Sequence, residues 1–348
     1  MSRPKIWNLS RLRLAVQTLF LGVTVYGGTI VGPYLADKIS KSLPALSCVF
    51  DKSNAAYCVL IPLQHQMHHR VGETFARLGE LSLSIFIPIL FTLLSFYLFF
   101  VILNKAFCGW ICPLGTVQEL LYKLGRYLDL AIHRLTGLQV RRVRPVKWVM
   151  LLVLVFLLPL ATGLGYVPHA AGDAYCQVCP SRIVTTLLTA DTEQLAVSRA
   201  GWLDFLFGAI RALLAGMVLV AALTVRQPFC RICPMLAFHA LFKRLAILRL
   251  VKREHGKCDR CDLCTRACPM DIPEISTSHG HTAFNEDCTL CGRCAEFCPE
   301  DGVIQLKFGP ASIYRSSRET FLQRSRREKP DGSYKRPLKS AGRGAKDE

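Results

Sequence analysis

Two cysteine ladders constrain this chain more than any other feature. The first reads Cys258-x2-Cys261-x2-Cys264-x3-Cys268-Pro269, and the second Cys288-x2-Cys291-x2-Cys294-x3-Cys298-Pro299. Eight thiolates at that spacing, in duplicate, suit two 4Fe–4S cubanes, with the fourth cysteine of each run ligating the other cluster. One cluster then takes Cys258, Cys261, Cys264 and Cys298, and the other Cys288, Cys291, Cys294 and Cys268. The short spacings wrap consecutive thiolates around one cube, and each proline turns the chain away after the last ligand. Zinc also takes four cysteines, but usually as separated Cys-x2-Cys pairs. Three-cysteine runs ending in Cys-Pro favour iron and sulfide.

Hydropathy governs the rest. Of the 348 residues 51% are apolar and the mean hydropathy is +0.30, which with long uncharged runs marks the membrane class. Runs at residues 14–31, 81–103, 148–167 and 202–225 each approach the roughly 20 residues that cross a hydrocarbon core of about 30 Å. The first is longer than a secretory signal core and is followed by Pro33 without a small-residue cleavage site, so it reads as an uncleaved helix. The ladder segment resembles the bacterial two-cluster ferredoxin module. The fold expected is therefore an all-α membrane protein, four transmembrane helices in two pseudo-repeated halves, carrying a small α+β ferredoxin domain. Its expected limits are 1–252 for the membrane domain, 253–308 for the ferredoxin domain and 309–348 for a basic, disordered cytoplasmic tail.

The formal charge of +18 invites nucleic acid as a partner, but its distribution points to lipid. The connection 104–147 carries Lys105, Lys123, Arg126, Arg134, Arg141, Arg142, Arg144 and Lys147, whereas 168–201 carries only Arg182 and Arg199. The positive-inside rule then puts both termini and the ladders in the cytoplasm, the reducing side that iron–sulfur thiolates require. The tail lacks the interleaved aromatics of a single-strand binder, so no nucleic-acid partner is expected and anionic lipid is. The location implied is a bacterial inner membrane, crossed several times.

Eight more cysteines recur with the apolar runs, sixteen in all. The second run ends in Phe107-Cys108-Gly-Trp-Ile-Cys112-Pro113 and the fourth in Phe229-Cys230-Arg-Ile-Cys233-Pro234, each followed by an amphipathic basic segment, residues 117–135 and 235–251. Cys48 and Cys58 fall between the first and second runs, and Cys176-Gln-Val-Cys179-Pro180 between the third and fourth. Each half thus reads helix, outer cysteines, helix, inner cysteines, surface helix, which implies a pseudo-two-fold axis along the membrane normal. Packed about it, Cys108, Cys112, Cys230 and Cys233 converge, enough for one further cluster; plain Cys-Pro turns or a zinc site are the alternatives. Cys48, Cys58, Cys176 and Cys179 suit either disulfides or a cluster at the outer face, which Pro180 favours. His65, His68 and His69 suit a metal, a haem or a quinone head, or simply a solvated face. Arg211 lies inside the fourth run, where a quinone carbonyl or a cluster sulfur is one partner and snorkelling the alternative. Trp148 and Trp202 read as interface anchors.

The Phe-Cys-Gly-Trp-Ile-Cys-Pro-Leu-Gly motif at 107–115, its partner at Cys230, four membrane runs and the double ladder resemble the membrane ferredoxins of periplasmic nitrate reductase systems. Related proteins serve nitrous oxide reduction, methylamine oxidation and copper-oxidase maturation. The resemblance covers approximately residues 10–305. It implies a 4Fe–4S component of the quinol dehydrogenase type, passing electrons between the quinone/quinol pool and a redox partner, a soluble ferredoxin-like protein or a periplasmic reductase. Two departures stand out: Cys230 and Cys233 are separated by two residues where the pattern has three, and the outer cysteines do not belong to the nitrate pattern, so that system's partner is not carried over. No general base, nucleophile or phosphate loop is present, and the chain reads as an electron-transfer subunit more than a self-contained enzyme. The alternative is a maturation or regulatory factor that reduces a metal, flavin or thiol centre of another protein, although the copper-oxidase relatives carry an outer β-domain with no counterpart here. A zinc-bound adaptor without redox function is a third reading.

Overall fold

The protein is described by a computed structural model over residues 9–31, 49–51, 55–57, 60–79, 83–190, 192, 195, 197, 201–253, 258, 260–280 and 282–332. Among these residues it is mostly helical. Helix α1 spans Leu9–Val31, and a short hairpin pairs β1 (Val49–Asp51) with β2 (Ala55–Tyr57). Helix α2 runs from Leu60–His65 through a π-helical stretch, Gln66–Glu73, into Thr74–Leu78. Helix α3 (Leu83–Leu103) is 21 residues without a charge. After a π-helical turn, Phe107–Ile111, comes α4 (Pro113–Tyr127). Helix α5 spans Gly137–Gly163, α6 Ala174–Val178, α7 Pro180–Leu188, α8 Trp202–Thr224 and α9 Pro234–Leu241.

Two of these, α5 with 27 residues and α8 with 23, are long and apolar enough to cross a membrane. The third helix therefore begins earlier than its hydropathy suggests. A Thr136 capping box starts it, the Thr136 hydroxyl accepting from the Gln139 N–H, and Pro145, a residue normally found at helix starts, is absorbed by a brief turn. Glycines set the closest crossings. A Cβ on Gly72 of α2 would stand 2.6 Å from the Gly163 Cα at the end of α5. Gly125 of α4 is pressed in the same way against the Leu223 backbone of α8.

The C-terminal module is a three-stranded antiparallel sheet ordered β3-β4-β5, from Leu248–Lys252, Ile304–Phe308 and Ala311–Arg315. It carries the short helices α10 (Leu263–Ala267), α11 (Glu274–Thr277) and α12 (Arg293–Glu296). Met270, Ile272, Ile275, Phe284, Val303 and Leu306 fill its core together with the ladder cysteines.

Three expectations are corrected here. The amphipathic helix expected to reach residue 251 stops at Leu241, and the chain re-enters as β3, so the module starts before residue 253. Residues from 309 do not start a disordered tail: β5 pairs with β4, and α13 (Arg318–Arg327) follows, capped by the Ser317 hydroxyl. Composition misleads there because Arg293, Glu296, Arg324 and Glu328 satisfy one another in a charged cluster. Residues 333–348 lie outside the described residues. Trp148 is more than an interface anchor, since its indole N–H reaches Glu286 Oε1 at 3.3 Å, while Trp202 is 71% exposed.

Candidate iron–sulfur centres

The ladders fold as two copies of one loop. Arg260 and Leu290, at matching places, have φ of 50° and 53°, and Asp262 and Gly292 have 59° and 75°. These left-handed residues, one in each gap between the first three cysteines of a ladder, bend the chain between successive thiols, at a strain of about 1–2 kcal/mol for each residue with a Cβ. Gly292 is glycine for a further reason: a Cβ there would strike the Leu9 side chain of α1. Cys258, Cys261, Cys264 and Cys298 line one cavity, the set expected from the spacing. Cys268, Cys288, Cys291 and Cys294 are all buried and electrostatically coupled. Burial, the largest cause in each case, pushes the Cys264 and Cys288 thiols up to about 11 and Cys268 higher still. Such thiols ionise only against a bound cation, which is what a metal cluster provides.

A second cavity is lined by Cys108, Cys112, Cys230 and Cys233, with Tyr175, Cys179 and Gln118 on its wall. The unequal spacings are absorbed by the backbone. Cys108-x3-Cys112 occupies the π-helical turn, closed by Cys112 N–H to Phe107 O at 2.9 Å, whereas Cys230-x2-Cys233 follows a tighter 3-10 turn, Phe229–Arg231. Both end alike. Cys112, Cys179, Cys233 and Cys268 have ψ of 119°, 124°, 122° and 124°, the extended shape that a following proline imposes. In the first three the proline opens a helix, leaving the thiol at its positive end. Gln118 is fully buried; its amide donates to Leu114 O (3.2 Å) and Cys230 Sγ (3.8 Å) and accepts from Phe229 N–H (3.0 Å). Burial, with Cys233 second, raises the Cys230 thiol to about 12.

Gln64 repeats these bonds one for one. It donates to Leu60 O (3.3 Å) and Cys176 Sγ (3.9 Å) and accepts from Tyr175 N–H (3.0 Å). The offset is constant at 54 residues (64 to 118, 175 to 229, 176 to 230). Cys176 and Cys179 are buried. They do not stand apart on an outer face as expected: the Tyr175 hydroxyl lies 3.7 Å from Cys179 Sγ and 3.6 Å from Cys233 Sγ, joining the two sets. The segment folds inward because Val184 of α7 packs with Leu114, Val218 and Phe229. Cys48 and Cys58 lie outside the described residues.

The module docks on the π-helical turn. A Cβ on Gly109 would fall within 3.0 Å of the Thr289 carbonyl oxygen, and the Trp110 indole N–H donates to Leu290 O at 3.0 Å. Around this contact, charges read from the sequence as orientation signals are spent on the module. Lys105 donates to Asn285 O, Arg134 and Arg231 pair with Asp271, Arg144 with Asp287 and Glu274, and Lys147 with Asp287 and Glu286. Arg13 of α1 pairs with Glu119 of α4.

A family model described as a 4Fe-4S binding domain matches twice, at residues 84–129 and 207–254, and a 4Fe-4S dicluster domain matches 257–304. The ferredoxin-type protein NapH of Haemophilus influenzae is 27% identical over 302 residues, 85% of each chain. The putative electron transport protein YccM of Escherichia coli is 28% identical over 212 residues, 60% of this chain and 52% of that one. Regulatory protein NosR of Pseudomonas aeruginosa is 30% identical over 223 residues, 61% of this chain and 27% of that one. The chain is similar to ferredoxin-type proteins of the NapH and MauN kind and to NosR, and it carries 4Fe-4S binding domains. It spans about half the length of YccM and about a quarter of NosR. No solved structure matches it.

Sequence reasoning missed Gln64, Gln118 and Tyr175. The signal was available: Cys58 precedes Gln64 by the same interval that separates Cys112 from Gln118, and Cys176-x2-Cys179-Pro matches Cys230-x2-Cys233-Pro. Arg211 is buried at 7% exposure, and its Nε has no hydrogen-bond partner among the described residues.

Proposed function

We propose that this protein conducts electrons between the quinone/quinol pool and a redox partner through a line of iron–sulfur sites in a bacterial inner membrane. Helices α1, α3, α5 and α8 are the four spans, in two related halves, with the ladder module and both termini in the cytoplasm. The double match of the 4Fe-4S binding domain supports the halves, and the loop-charge asymmetry supports the orientation. The ladder cysteines hold two 4Fe–4S clusters; Cys108, Cys112, Cys230 and Cys233 hold a third; Cys176 and Cys179, with Cys48 and Cys58, hold a fourth. When bound, such clusters supply one-electron storage at a potential tuned by ligation, burial and hydrogen bonds to sulfur. The chain's own part is to space the sites, keep water out, donate to sulfur through Gln64 and Gln118, and hold the Tyr175 hydroxyl between Cys179 and Cys233.

The observation that carries this reading is continuity. Leu290 sits between ladder ligands and Trp110 between inner cysteines, and the two residues are hydrogen-bonded. Tyr175 continues the line to Cys179. Iron and sulfide analysis of anaerobically purified protein tests it: about sixteen irons per chain are expected, and about eight would leave only the ladder pair. Quinol in detergent should bleach the clusters, and no bleaching with any quinol would remove the quinone link. The regulatory reading keeps one support, the name of the NosR relatives. It predicts reduction of a partner's metal or thiol centre without net quinol turnover.

A further inference from the structure

We infer that His68, His69 and His169 form a separate binding site for a single divalent transition ion of the copper or zinc class. Three imidazoles suit ions of this class, which take histidine readily and do not require thiolate.

One nitrogen from each ring lies within 4.8 Å of the others. Ligands around a tetrahedral ion at about 2.1 Å stand about 3.4 Å apart, so a closure of little more than about 1 Å completes the set. The rings come from segments a hundred residues apart in the chain. His68 and His69 lie on the π-helical stretch of α2, and His169 on the 3-10 turn His169–Ala171 after α5. The wider π-helical turn swings neighbouring side chains closer than an α-helix does, and the two rings stand 4.0 Å apart.

The Gly72–Gly163 crossing draws these segments together, since a Cβ on either residue would push them apart. Gly172 serves the same end, because a Cβ there would collide with His68 Nδ1. Glu73 supplies the outer partner that metal-bound histidines usually have: its Oε1 is 2.9 Å from His69 Nδ1 and 3.6 Å from His68 Nε2. His68 is buried while His69 and His169 are exposed, so the cluster has a fixed floor and an open mouth.

Its position says what it adjoins. Lys147 and Trp148 of α5 meet Asp287 and Glu286 of the ladder module, and Gly163 closes the same 27-residue helix. At 1.5 Å per residue over the stretch from Lys147 to Gly163, the histidines stand about 24 Å from that module. One turn before His68, Gln64 donates to Cys176, so the ion would sit beside the last thiol pair of the line. The binding itself needs no cluster.

The test is calorimetric titration of the full, iron-loaded protein with Zn2+, and in a parallel arm with Cu2+ under anaerobic conditions. One equivalent is expected. His169→Ala and His69→Ala should each weaken it at least about 100-fold, beyond what losing a mere outer partner costs, and Glu73→Gln about 10- to 100-fold. Iron content should stay at the wild-type value, because both substituted histidines are exposed. The Cys176→Ala/Cys179→Ala protein should keep the equivalent. Imidazole nitrogen couplings in the electron paramagnetic resonance of the Cu2+ arm, together with competition by Zn2+, show which ion the site prefers. Uptake unchanged in both histidine variants, or lost with the cysteines, overturns the proposal.

Discussion

Replacing Gly109 by alanine tests the contact through which the ladder module meets the inner cysteines. A Cβ at this position falls within 3.0 Å of the Thr289 carbonyl oxygen, with Cys291 N at 3.4 Å. Ordinary carbon contacts begin at about 3.5 Å, so the π-helical turn and the ladder loop must part by about 1 Å. The obstructing atoms are backbone, and no rotamer change relieves them. Overpacking of this kind costs about 1–3 kcal/mol, and the Trp110–Leu290 hydrogen bond is strained with it. Taking about 2 kcal/mol as the net effect, opening of the docked interface becomes about 30-fold more populated. Hydrogen exchange over residues 285–292 should therefore speed up about 30-fold, provided that local opening governs it. Iron content should hold while quinol-driven bleaching of the ladder clusters slows. Gly216→Ala is the control, because nothing lies within 4 Å of its Cβ. Wild-type exchange and bleaching in Gly109→Ala would refute the contact as a route.

Tyr175→Phe removes the hydroxyl between Cys179 and Cys233. With fewer donors to sulfur, at least one midpoint potential should fall at unchanged iron content, and a superimposable redox titration would count against the bridge. Gln118→Leu strands the buried Phe229 N–H and takes the donor from Cys230; thermal unfolding in detergent should show a loss of about 1–3 kcal/mol, and none would mean that water replaces the amide. Lys147 is fully buried against Asp287 and Glu286. Lys147→Met leaves Asp287 to Arg144 alone, at about 3 kcal/mol, the low end for a broken buried pair. Limited proteolysis should then release the module faster, and an unchanged cleavage rate would place the docking energy elsewhere.

The ladders were visible in the sequence because their spacing is short and repeated, and Cys258, Cys261, Cys264 and Cys298 line one cavity. The long helices were legible because their pattern is uniform, although their ends were not: a capping box at Thr136 outweighs the charge that follows it. Tertiary pairing was hidden. Arg134, Arg144 and Lys147 look like lipid-facing charges until Asp271, Asp287 and Glu274 are placed opposite them. Tyr175 carries no local signal in the sequence, since nothing nearby reports that α7 turns inward upon Leu114 and Phe229. Residues 311–327 looked disordered because a strand paired at one edge and a helix held by ion pairs carry little apolar signal.

The docking surface has a consequence for biogenesis. Cys288, Cys291 and Cys294 are buried where the module meets α1 and the π-helical turn, whereas Cys261 is exposed. A scaffold protein delivering iron and sulfide can approach Cys261 at any time but must reach the other three before the interface closes. If the ladders hold the two proposed clusters, burial imposes an order on maturation: the inward cube would be installed first, the module would then seat, and the outward cube could be added or repaired later. Iron-starved cells should accumulate chains whose C-terminal third is cut readily by protease, and a protected C-terminal third in such cells would contradict that order.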